Sequence, residues 1–143
     1  GALPISLPEE QSAAGCRGMG RGVSLSPPGP HWTEQTIPML EAFLVSDQEL
    51  HWFHEGIGLH EPLYRDFHYS RLFGGGAVPH HLSYCRGVGM GFARLLIDPS
   101  AAPTPFPIPR EVLEPIAAPP WGAQGIAAWH EGFESERRLL AGL

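Results

Sequence analysis

The chain of 143 residues contains no lysine and no asparagine, so all nine of its basic residues are arginines. Its formal net charge is -6, and it has no run of basic residues that would follow a phosphate backbone. We therefore expect no nucleic-acid partner. A coding bias explains the joint absence of the two residue types better than selection against lysine as a site of modification.

Cysteine is scarce and long apolar runs are missing. Cys16 and Cys85 lie far apart and do not form a CxxC motif, so neither a redox pair nor a zinc knuckle is indicated. No run of about 18 apolar residues occurs, so we expect no membrane insertion. The chain is expected to be soluble, with the cytoplasm slightly favoured. Whether a signal peptide has been removed stays open, because residue 1 is not methionine.

Glycine and proline are abundant, and they divide the chain. Residues 1–30 carry five prolines and six glycines, which predicts an extended arm without a core of its own. Residues 31–143 are predicted to form a single, mainly helical domain. Within it, residues 99–120 carry eight prolines, which indicates a polyproline-like strap with one helical turn at 110–113.

Helical signals recur through the rest of the chain. Apolar spacing predicts a short helix at 36–45, and Ser46 with Glu49 forms a capping box that predicts a second helix ending at Gly56. Pro62 suits the first turn of a third helix. The last helix is predicted at 124–140.

That last predicted helix has a clear apolar side. It places Trp129 and Phe133 on this side, and it spaces Glu134 and Arg138 for an ion pair one turn apart.

The segment 79–98 is ambiguous between helix and strand. Its three glycines alternate with apolar residues as in a strand, whereas the residues on either side of them have helical spacing. We favour a helix, in which Gly87 and Gly91 form a bare face for close packing. The predicted fold class is mainly α, with four or five short helices wrapped by Pro/Gly-rich extended segments; the alternative is α+β with a strand at 86–97.

Six of the eight histidines fall between residues 51 and 81. His51 and His54 share one helical face, and His68 is the predicted third ligand of a metal site, with His80, His81 and His130 as substitutes. Glu55 or Glu61 would then act as acid or base on a substrate. The zinc-protease motif HExxH is absent, and the alternative is that these imidazoles pack beside aromatic neighbours.

Cys85 is a candidate nucleophile. His130 follows it in the order that a Cys/His pair requires, with Glu131 or Asp98 to orient the imidazole. Cysteine is also among the most often buried residue types, and the apolar neighbours of Cys85 favour burial.

Two glycine-rich motifs, GMGRG at 18–22 and GVGMG at 87–91, lack the spacing of phosphate-binding loops. The leading hypothesis is therefore a non-catalytic interaction or accessory protein, acting through a protein partner or by self-association. The alternatives are a small hydrolase or oxygenase that uses a divalent transition metal, and a Cys/His thiol enzyme.

Overall fold

A computed structural model describes residues 7–24, 41, 44, 46–58, 78–96, 99–119 and 121–142. Within these ranges the chain is mainly α-helical and has no strand, which confirms the predicted fold class. The α-helices are, in chain order, α1 (Leu7–Ser24), α2 (Asp47–Gly58), α3 (Val78–Arg94), α4 (Arg110–Ala117) and α5 (Gly122–Ala141). None of these helices combines the length and the hydropathy needed to cross a bilayer.

Helix α2 begins at the predicted capping box. The backbone N–H of Glu49 donates to the Ser46 hydroxyl at 3.1 Å, and that hydroxyl lies 3.5 Å from the Glu49 carboxylate. These contacts satisfy a backbone donor that the first turn leaves free, which fixes where the helix begins. The helices predicted at 36–45 and from Pro62 lie outside the described residues, except for isolated positions.

The ambiguous segment 79–98 is helical from Val78 to Arg94, so the alternative of a strand at 86–97 is wrong. An added Cβ at Gly87 would lie 2.0 Å from the carbonyl oxygen of Gly15, and one at Gly91 would lie 2.1 Å from that of Met19. The bare glycine face is therefore the surface that packs against α1. This contact compensates for the low helix propensity of glycine.

The prediction that residues 1–30 form an extended arm is wrong for residues 7–24, which form α1. Local propensity disfavours a helix with four glycines, but Gly18 and Gly22 lie on the side of α1 that meets α3. Gly20 lies on the opposite side and meets α2. The stabilisation from packing on both sides of α1 therefore outweighs the low helix propensity of its glycines.

Helix α5 agrees with the prediction, and Trp129 and Phe133 are fully buried on it. The predicted ion pair differs, because the Glu134 carboxylate pairs with Arg137 at 3.2 Å rather than with Arg138. The proline-rich strap is non-helical from 102 to 109, and Phe106 stacks on Phe133 with ring centroids 4.6 Å apart. Helix α4 follows and is longer than the single turn predicted.

Helices α1 and α3 run parallel at the centre, with α2 packed on α1 and α5 packed on α3. Gly18 meets the backbone of Tyr84 and Val88, and Gly22, one turn later, meets the next turn of α3. The largest part of the core lies between α3, α5, α4 and the strap. A smaller apolar cluster lies between α1 and α2 around Met19 and Phe53.

Candidate functional site

The polar face of α2 holds the residues that the sequence predicts for metal chemistry. Glu55 accepts a hydrogen bond from Arg17 Nε at 2.8 Å, and its other oxygen lies 2.6 Å from His51 Nε2, one turn earlier on the same helix. His51 is well exposed, with 64% of its side chain accessible. Glu55 therefore joins α1 to α2 and is in contact with both Arg17 and His51.

The two histidines of this face do not converge on one point. His54 Nε2 lies 2.8 Å from a carboxylate oxygen of Glu41, whereas His51 pairs with Glu55. The predicted third ligand, His68, lies outside the described residues. Across the described ranges, no group of three or more histidine, cysteine or acidic side chains is placed to hold a metal ion.

Cys85 lies in the interior, and its neighbour is His81. The Sγ atom of Cys85 lies 3.1 Å from His81 Nε2, one turn earlier on α3, and both side chains are fully buried. The imidazole of His81 stacks on the indole of Trp121 with centroids 3.8 Å apart. His130, the histidine predicted to pair with this thiol, lies edge-on to Trp129 at 5.2 Å between centroids.

Burial governs the protonation of this pair. Loss of hydration raises the pKa of the Cys85 thiol to about 12, and it lowers the pKa of His81 to about 4, partly opposed by a hydrogen bond to the backbone of Ile116. At neutral pH both groups are uncharged. A neutral thiol is a weak nucleophile, so this environment does not activate Cys85.

Cys16 lies in the middle of α1, beside the first turn of α2. Burial first, and then the Glu49 carboxylate, raises the pKa of this thiol to about 11, while a hydrogen bond with Ser12 lowers it. The Sγ atom lies 4.0 Å from Glu49 Oε2. Both cysteines are free thiols.

The sequence around these residues occurs twice. GCRGMGRGV at 15–23 in α1 matches YCRGVGMGF at 84–92 in α3, and FHEGI at 53–57 in α2 matches WHEGF at 129–133 in α5. We call α1 with α2 the first helix pair, and α3 with α5 the second helix pair.

The contacts repeat with the sequence. The ion pair between Arg17 and Glu55 in the first helix pair has its counterpart between Arg86 and Glu131 in the second, at 2.9 Å. An added Cβ at Gly56 would meet the carbonyl of Arg17, and one at Gly132 would meet the carbonyl of Arg86.

The central interface repeats in the same way. Gly18 faces the carbonyl of Tyr84, and its counterpart Gly87 faces the carbonyl of Gly15, which is the counterpart of Tyr84. The two helix pairs are therefore related by an approximate two-fold relation between α1 and α3.

This repeat accounts for residues to which the sequence alone gave no role or a different role. The two glycine-rich motifs are the two copies of one helix-packing surface. Arg17 and Arg86 occupy equivalent ion-pairing positions of that repeated unit, and Glu131 is the counterpart of Glu55. The sequence contains the signal of this repeat, because the motifs CRGxGxG and HEG each occur twice.

No protein-family model, no curated protein and no solved structure matches this chain.

Proposed function

We propose that this protein is a non-catalytic interaction or accessory protein, acting through a protein partner or by self-association. The observation that carries the proposal is where the reactive side chains lie. A hydrolytic or thiol site needs its groups to converge on a cleft. Two clefts among the described residues are lined by other side chains, while His51, His54 and Cys85 each engage a near neighbour.

The way the helices pack supports the same proposal. Backbone contacts at glycines hold α1 and α3 at a fixed separation, and the Arg–Glu pairs tie α2 and α5 to them. A rigid framework of this kind presents surfaces in a fixed relation, which lowers the entropic cost of binding a partner.

The test is the state of association of the untagged protein. Light scattering across a wide range of concentration detects self-association, and affinity isolation from the source cells detects a partner in stoichiometric amount. We expect one of the two. A protein that is monomeric at every concentration and carries no stoichiometric partner contradicts the proposal.

The alternative of a metal-dependent enzyme rests on His51 and His54, with His68 as third ligand and Glu55 as acid or base. Metal analysis of protein purified without a histidine tag discriminates the two functions. A stoichiometric transition metal that is lost when His51 and His54 are changed to Ala favours the enzyme.

A thiol enzyme is the third candidate, and the distance of 3.1 Å between Cys85 and His81 is the observation in its favour. Labelling with iodoacetamide tests it directly. Rapid modification of Cys85 in the folded chain at neutral pH favours this candidate. We expect slow modification, because the protonated thiol is fully buried.

A further inference from the structure

We draw no further inference here: the strongest candidate, the cleft between the proline-rich strap and the C-terminal turns of α5, carries nothing, because the guanidinium of Arg137 that lines it is already bonded to Glu134 and Thr104, and nothing in the structure shows what would occupy it.

Discussion

Glu136 and Arg94 form an ion pair between α5 and α3, with exposed side-chain fractions of 2% and 7%. Replacement of Glu136 by Ala leaves the guanidinium buried without this carboxylate. Breaking a buried pair by removing one partner costs about 3–5 kcal/mol, much of it the penalty of the remaining charge. We expect a loss of unfolding free energy of this size, measured by urea denaturation.

The matched control is Glu131→Ala, which removes the exposed pair with Arg86 on the same two helices. Water hydrates both groups there, so the loss should stay below about 1 kcal/mol. Equal losses in the two variants would show that burial does not decide the contribution of these pairs.

The buried His81–Cys85 pair predicts a window of maximum stability in pH. The pKa of His81 is lowered from 6.5 to about 4 in the folded protein, so the unfolded chain takes up the proton first as the pH falls. Its contribution is complete above about pH 6.5 and is lost as the pH falls towards 4. The pKa of Cys85 is raised from 9.0 to about 12, so its contribution is lost as the pH rises from 9 towards 12.

Urea denaturation as a function of pH measures this window. His81→Gln should flatten the decline in unfolding free energy between pH 6.5 and 4. His51→Gln, at an exposed position, should retain a larger part of that decline. An identical acid slope in the parent and in His81→Gln would mean that another group causes the decline.

The sequence singled out Cys85, His51 and His54 but did not assign all their partners. The spacing of His81 and Cys85 is readable as one helical turn once α3 is predicted. Chain order favours His130 as the partner of Cys85, but the order of two residues in the chain carries no information about the distance between them. Arg17 could not be placed beside Glu55, because that contact requires α1 to be a helix.

At the scale of the helix, Gly18 is one of the glycines of α1 that leave no room for a larger side chain. An added Cβ would lie 2.1 Å from the carbonyl oxygen of Tyr84 and 3.0 Å from the N atom of Val88, both backbone atoms that no change of rotamer can move. Gly18→Ala must therefore push α1 away from α3. We expect it to lower the unfolding free energy by about 3 kcal/mol or more, measured by urea denaturation.

Gly15→Ala is the control on the same helix. Its added Cβ would lie 3.7 Å from the carbonyl oxygen of Ser83, an ordinary contact, and alanine has the better helix propensity. We expect a gain of up to about 1 kcal/mol. A loss comparable to that of Gly18→Ala would mean that helix glycines matter here for a reason other than close approach.

Helices α2 and α5 were predictable because local signals agree with tertiary packing there. The capping box of Ser46 and Glu49 fixes the start of α2, and apolar spacing marks α5 around Trp129. Helix α1 was missed because its helical state depends on α3, which is distant in sequence. The same glycine spacing at 87–91 was interpreted as a packing face and at 18–22 as part of an arm.

At the scale of the whole molecule, the repeat makes the α1–α3 interface the shared element of both helix pairs. Helix α2 packs on α1, and α5 packs on α3, so each outer helix depends on a central one. Recognising the two copies as one unit would have predicted α1 from α3.

This arrangement predicts how disruption spreads, which hydrogen exchange can measure. Gly18→Ala separates the two central helices and should reduce amide protection in α1, α2, α3 and α5 together. Gly132→Ala acts at the carbonyl of Arg86, in the contact between α5 and α3. Its loss of protection should be concentrated in α5 and in α4, which packs on it, while α1 and α2 retain more of theirs.

Gly15→Ala again serves as the control and should leave protection unchanged or higher throughout. The comparison is made at conditions where each variant remains mostly folded, so that exchange reports opening from the native state. If Gly18→Ala lowers protection only within α1, or if Gly132→Ala lowers it equally in all helices, the central interface is not the element on which both helix pairs depend. The two-fold repeat would then describe the contacts but not the cooperativity of the protein.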